Sequence, residues 1–338
     1  MIVDDTCVRA YVPHPRLTHG HLMTLFTWSQ PRHFPNLPPA IPRFFDVAPD
    51  ARVRAACHWQ PQPRTCPTLI ALHGLEGSSD AHYMRGLADK AFRAGFNVLR
   101  LNQRNCGNTE RLSAGLYHSG LTADPIAVVQ ELIEVDRLDA IAVTGYSLGG
   151  NLALKLAGDL GAQTPPQLRS VCAVSPTADL ARCVDALERP QNAVYQWNFV
   201  RNLKLRMRRK AKAFPGRFSL DGLSGVRTIR DFDERFTAPN HGFRDAADYY
   251  HRASALRVVG RIEIPALVIS AQDDPFVPVA QFDDPTFTQN PRVTVVTPPH
   301  GGHCGFVARG QRGDDGYWAE HAAVDFAVTH VADKLSTS

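Results

Sequence analysis

Five residues, Gly145-Tyr146-Ser147-Leu148-Gly149, constrain this chain more than any other feature. They follow an apolar run at 140–144 and lead into a helical pattern beginning Asn151-Leu-Ala-Leu-Lys-Leu-Ala. A serine on so short a strand-to-helix turn takes a strained backbone conformation and projects its hydroxyl above the sheet. Strand and helix come so close there that only glycine fits two residues before and two after. The helix N-terminus also directs amide hydrogens and a positive dipole end toward negative charge developing beside the hydroxyl. Such a turn belongs in a sheet whose strands alternate with helices.

The flanking sequence reads the same way. Strand patterns occur at 53–58, 68–72, 97–101, 140–144, 170–174, 266–270 and 292–296, several of them nearly continuous apolar runs. Continuous apolar strands suit a parallel sheet covered on both faces. Amphipathic helices are expected between them, at 81–94, 126–135, 149–160 and 318–334. The expectation is an α/β chain with a mostly parallel, doubly covered sheet. Residues 1–49 are rich in Pro and His and read as an N-terminal extension. Residues 177–262 read as helices inserted between two strands, a lid over the strand ends where ligands bind in such sheets. The chain then forms one domain over 1–338, with a core made of 50–176 and 263–338.

Composition excludes several classes. Hydrophobic residues at 44% and charged residues at 21% rule out a disordered chain or a coiled coil. No apolar run approaches the 18 residues of a membrane span, and Asp4 and Asp5 stand where a signal peptide needs positive charge. The seven cysteines are scattered without a C-x-x-C pair, which argues against a disulfide framework or zinc site and for a reduced, cytoplasmic protein. His19 and His21 lack further ligands at metal spacing, so no metal is expected. A net charge of +4 is too small to imply nucleic acid. Arg201, Lys204, Arg206, Arg208, Arg209, Lys210 and Lys212 nevertheless gather seven cations without an acid. They read as a solvated helix face; the alternative, not favoured, is a patch for anionic lipid or substrate.

A nucleophilic serine needs a base, and the base needs an orienter. In folds with this turn the order along the chain is Ser, then an acid, then His. After the run at 266–270 come Asp273 and Asp274, of which Asp274 better fits the usual spacing to Val277-Pro278. After 292–296 come His300 and His303. His303, set between small residues, is the expected base, and His300 reads as a structural neighbour. Oxyanion donors are expected from the backbone N–H of Leu148 and, in the loop after 68–72, of Leu75. Cys304 adjoins the base, but neighbours on an extended segment point apart, so it is not expected to act.

The motifs together resemble the YheT-like hydrolases, α/β hydrolases related to the plant EMB8 and animal ABHD proteins. The resemblance rests on His73-Gly-Leu-Glu-Gly-Ser-Ser79, Tyr83-Met-Arg-Gly-Leu87, Asn102-Gln-Arg104 and Leu116-Tyr-His-Ser-Gly120. It continues through Phe236-Thr-Ala-Pro-Asn-His-Gly-Phe243, Asp248-Tyr-Tyr250, Gly301-Gly-His-Cys-Gly-Phe306 and an N-terminal His21-Leu-Met-Thr24. It implies the α/β-hydrolase fold and hydrolysis of carboxylic esters through Ser147, Asp274 and His303, with no cofactor. One departure is Asn105 where the family often has Gly before Cys106; Asn tolerates positive φ better than most residues. The H-x-x-x-x-D pattern of acyltransferase relatives is absent, since five residues separate His118 from Asp124. The expected substrates are short- to medium-chain or lipid-like acyl esters. The alternatives are a thioesterase or amidase with the same triad, or a ligand-binding protein on a hydrolase scaffold.

Overall fold

The computed structural model describes residues 10–309 and 315–332, so Cys7 and the end of the last expected helix lie outside the described residues. Eight strands form one sheet in the order β1-β2-β4-β3-β5-β6-β7-β8. They are β1 (Ile41–Ala48), β2 (Ala51–His58), β3 (Thr68–Leu72), β4 (Asn97–Leu101), β5 (Ile141–Tyr146), β6 (Leu168–Val174), β7 (Ala266–Ile269) and β8 (Val293–Val296). The first two pair antiparallel, β2 meets β4 antiparallel, and every remaining pairing is parallel. Strands β3, β4 and β5 are buried along their whole length, as expected for strands covered on both faces, even though β4 carries Asn97 and Arg100.

Strand β1 differs from the expectation, because it falls inside the stretch read as an extension. Its apolar signal is weak since Phe45 alone is fully buried along it. Pro42 is tolerated because β1 pairs only with β2, leaving one edge free of ladder hydrogen bonds. The same stretch supplies helix α1 (Gly20–Ser29), which docks on the loops at the strand ends. Helices α2 (His82–Arg93) and the C-terminal Trp318–Ala332 cover one face of the sheet, and their apolar residues join Leu69, Tyr146 and Ile269 in one cluster. Helices α3 (Ala123–Glu134) and α4 (Leu148–Leu160) cover the other.

Between β6 and β7 run α5 (Leu180–Leu187), the 21-residue α6 (Ala193–Ala213), a π-helical turn at Asp233–Thr237 and the helix Ala246–Ala253. No strand interrupts this stretch. Its Leu180, Leu203, Phe232 and Tyr250 share one apolar cluster with Ile70, Val143 and Leu152 of the sheet side. Asn151 ties the stretch to α4: its Nδ2 donates to the carbonyls of Ser119 and Ala253, both at 2.9 Å, and its Oδ1 accepts from Ala255 N.

The basic cluster on α6 does not form a single solvated face. Arg206 and Lys210 are buried on the side that also carries Val200, Leu203 and Met207. Lys210 Nζ donates to Asn105 Oδ1 at 2.7 Å and to the carbonyls of Glu110 and Ser113, and burial lowers its pKa to about 8. Arg209 pairs with Glu110 at 2.6 Å. The reading of a solvated face is therefore wrong for Arg206 and Lys210, which a 3.6-residue period turns inward with the apolar positions.

Candidate active site

Ser147 closes β5 with φ 53° and ψ −118°, a conformation that costs a non-glycine residue on the order of 1–3 kcal/mol. The flanking glycines make it possible. A Cβ at Gly145 would lie 1.9 Å from the Gly149 carbonyl oxygen, and one at Gly149 would lie 2.3 Å from that of Leu72. The turn is thus as crowded as its sequence implies. Leu148 begins α4, so its N–H has no acceptor within the helix.

Asp274 and His303 meet from separate loops after β7 and β8. The His303 Nδ1 to Asp274 Oδ2 distance is 2.9 Å, and the carboxylate is fully buried. Asp274 Oδ1 accepts from the N–H of Phe276 at 3.1 Å and Val277 at 2.9 Å, which fixes the carboxylate plane. Burial alone would lower the His303 pKa; the Asp274 carboxylate overrides it and raises the pKa above 6.5. Phe276 packs on the imidazole with ring centroids 4.0 Å apart.

The second pair, His300 and Asp273, is looser and more exposed, with 3.3 Å between Nδ1 and Oδ2. Asp273 Oδ1 accepts from Gly302 N at 2.9 Å, so this acid holds the histidine loop in shape. Thr24 of α1 reaches the same loop: its Oγ1 accepts from His303 N at 2.8 Å. Gly20 permits this docking, since a Cβ there would lie 1.8 Å from the Asp273 carbonyl oxygen.

Two cavities meet at the serine. One, with about 100 Å³ of free space, is lined by Ser147, Leu75, Leu148 and apolar residues of the insertion, among them Leu180, Val184, Leu187, Leu203, Met207 and Phe232. The other, of about 420 Å³, is lined by Ser147, His303, Cys304, Gly74, Leu75, Trp28, Tyr195 and Phe199. All five expected site residues border one or both of these cavities or, for Asp274, hydrogen-bond a residue that does.

Cys304 departs from expectation. The segment turns rather than extends, with Cys304 at φ 58°, and its thiol donates to the Val174 carbonyl at 3.8 Å. Asn105 does take positive φ, at 66°, and Cys106 behind it is a buried thiol whose pKa burial pushes up to about 12. Asp124 is held by a two-pronged ion pair with Arg104, at 2.7 and 2.6 Å, and so is committed elsewhere.

Several residues that frame the site stand in the motifs behind the resemblance, or in the insertion, without a role expected of them from sequence. His73 is buried and neutral, its pKa lowered to about 4 by burial, and its Nε2 accepts from Gln103 N at 3.1 Å. Tyr83 OH accepts from Gly74 N at 3.1 Å. Together they fix the loop that carries Leu75. Glu76, next along at φ 58°, accepts the Tyr117 hydroxyl at 3.2 Å and pairs with Arg206 of α6. Asp233 lines the smaller cavity with hydroxyl donors from Thr237 at 2.6 Å and Tyr250 at 2.9 Å, its pKa raised by burial to about 6. Polar residues in turns and helices carry no periodic signal, so only the fold reveals what they hold.

Comparison with known proteins agrees with this architecture. Residues 67–309 match the family described as alpha/beta hydrolase fold. The chain is 34% identical to YheT of Escherichia coli (strain K12) over 270 residues, covering 79% of this chain and 78% of that protein. It is 31% identical over 244 residues to phospholipase ABHD3 of Mus musculus, covering 72% of this chain but only 59% of that relative. Among solved structures, 2,6-dihydroxy-pseudo-oxynicotine hydrolase aligns with a TM-score of 0.59 at 20% identity, covering 87% of this chain and 68% of that one, a likeness of fold. On the family match and the identity to YheT, the chain belongs to the α/β-hydrolase family, among its YheT-like members.

Proposed function

We propose that the protein hydrolyses carboxylic esters through an acyl-serine intermediate, with Ser147, His303 and Asp274 as the triad. The observation that carries this reading is the buried 2.9 Å contact between His303 and Asp274 in a site that shares a cavity with Ser147. Membership of a hydrolase family and identity to a protein named a phospholipase support the ester chemistry.

In this mechanism His303 Nε2 removes the Ser147 hydroxyl proton as Oγ attacks the ester carbonyl. Asp274 holds Nδ1–H, fixing the tautomer and stabilising the imidazolium that forms. The N–H groups of Leu75 and Leu148 receive the oxyanion, helped by the positive end of α4. The imidazolium then protonates the leaving alkoxide, and a water activated by His303 releases the acid. The insertion between β6 and β7 serves as the lid, and its apolar cavity receives the acyl chain. No step needs a cofactor.

Labelling with a fluorophosphonate, followed by a panel of p-nitrophenyl esters graded by chain length, tests the proposal. The expected result is a single adduct at Ser147 with ester turnover. A protein that neither labels nor turns over any ester would be a binding module, and preferential cleavage of thioesters or amides would move the activity to those substrates.

A further inference from the structure

Helix α6 has an outer face as distinctive as its buried one. Val194, Trp197 and Leu205 are exposed there, Trp197 at 64%, and Arg201, Lys204 and Arg208 share a shallow groove with Trp197 and Leu205. The Arg201 guanidinium lies 5.9 Å from the Trp197 ring centre. Among the described residues, Arg201, Lys204 and Arg208 have no carboxylate partner; Lys204 donates to the Ser224 carbonyl. Arg227 borders the same groove.

Helix α1 presents a matching apolar face. Leu22, Leu25, Phe26 and Trp28 are exposed, Trp28 at 59%. The two helices touch through His21 and Tyr195, whose rings stack at 5.7 Å with 3.2 Å between Nδ1 and the hydroxyl. Trp28 of α1 and Val194 of α6 both line the larger cavity while remaining exposed, so they form its rim. The opening that reaches Ser147 and His303 is therefore bordered by apolar side chains on two helices, with a cluster of uncompensated cations on one of them.

We infer that this face docks on an anionic lipid surface, with the mouth of the larger cavity turned toward the membrane. Tryptophan and aliphatic side chains ringed by cations suit the boundary between headgroups and acyl chains, where the apolar atoms are buried and the charges meet phosphates. Seven large apolar side chains exposed on two touching helices are more than scattered surface residues need. A second copy of the chain fits less well, because a two-fold contact here would set the cations against their own copies. The attachment is peripheral, since no helix among the described residues is long and apolar enough to cross a membrane. The inference is independent of the triad, since docking needs no chemistry at Ser147.

Co-sedimentation of the full chain with phosphatidylglycerol–phosphatidylcholine vesicles, against pure phosphatidylcholine, tests this directly. Wild type and Ser147→Ala should both pellet with the anionic vesicles and be released as salt is raised. The triple variant Arg201→Gln/Lys204→Gln/Arg208→Gln should lose at least about tenfold in binding, and Leu22→Ser/Phe26→Ser should lose a similar factor. Thermal melts like that of wild type would show that these exposed substitutions leave the fold intact. Failure to pellet with anionic vesicles would overturn the inference, as would equal binding to pure phosphatidylcholine or wild-type binding by both variants. A concentration-dependent dimer abolished by Trp197→Ser would overturn it too, by giving the face to a second copy.

Discussion

Arg206 of α6 closes a buried ion pair with Glu76, the residue directly after Leu75 in the loop that follows β3. Its guanidinium also lies 4.1 Å from the centre of the Tyr117 ring and donates to Cys106 Sγ at 3.4 Å. The insertion thereby grips the segment proposed to bind the oxyanion. Removing one partner leaves a buried charge without compensation, which costs about 3–5 kcal/mol. Arg206→Met should lower unfolding stability by that order in a denaturant titration, and Arg206→Met/Glu76→Met should recover much of the loss. Equal losses in the single and double variants would show that the pair does not couple the two elements.

Ser147→Ala should reduce ester turnover by several orders of magnitude, since losing a triad nucleophile costs up to about 10⁶ in kcat. It should abolish fluorophosphonate labelling and leave the melting temperature near that of wild type or higher, because the strained turn loses no packing. Retention of a tenth of the activity would remove Ser147 from the mechanism.

The two acid–histidine pairs make separable predictions. Asp274→Asn and His303→Ala should each be severely impaired in kcat. Asp273→Asn and His300→Ala should be mild, with any effect of Asp273→Asn arising through Gly302, whose N–H it accepts. Steady-state kinetics on one soluble ester would reveal a reversed order at once.

The Asp274 carboxylate holds the His303 pKa above 6.5 against the opposing effect of burial. The base works only when unprotonated, so kcat/KM should rise with pH through an acid limb on the alkaline side of 6.5. Asp274→Asn removes the raising charge and should move the limb of its residual activity to lower pH. A limb at or below 6.5 in wild type would contradict the assignment.

The smaller cavity should set acyl-chain preference. Each methylene buried there contributes about 0.8 kcal/mol, roughly fourfold in kcat/KM, until the space is filled. Val184→Trp, which fills the cavity wall, should depress turnover of octanoate esters far more than of acetate esters. Parallel losses on both would place the acyl chain elsewhere.

What the sequence discloses about this molecule depends on whether the information is local. The turn at Ser147 is legible because strand, glycines and helix adjoin within a dozen residues. Asp274 and His303 are legible because each stands at a fixed place after a strand. Arg206 and Lys210 escape notice in a run of seven cations, although Val200, Leu203 and Met207 mark the face that turns inward. Charge density suggests solvent, whereas the helical period decides burial. Strand β1 escapes for a different reason: Pro42 and a single buried Phe45 give an edge strand little periodic signal. Glu76 and Tyr117 stand in recognisable motifs, but their meeting with Arg206 joins three distant segments, and nothing local announces that contact.

The docking of Thr24 against His303 also bears on how the protein is made. Groups from α1 and the loops after β7 and β8 converge around the proposed base and its orienter. Synthesis runs from the N-terminus, so Ser147 leaves the ribosome long before Asp274 and His303 exist. During that interval the serine lacks its proposed proton acceptor. On the proposed assignment a nascent or truncated chain is chemically mute, and reactivity arrives only once Asp274 and His303 have been made and Thr24 has docked on their loop.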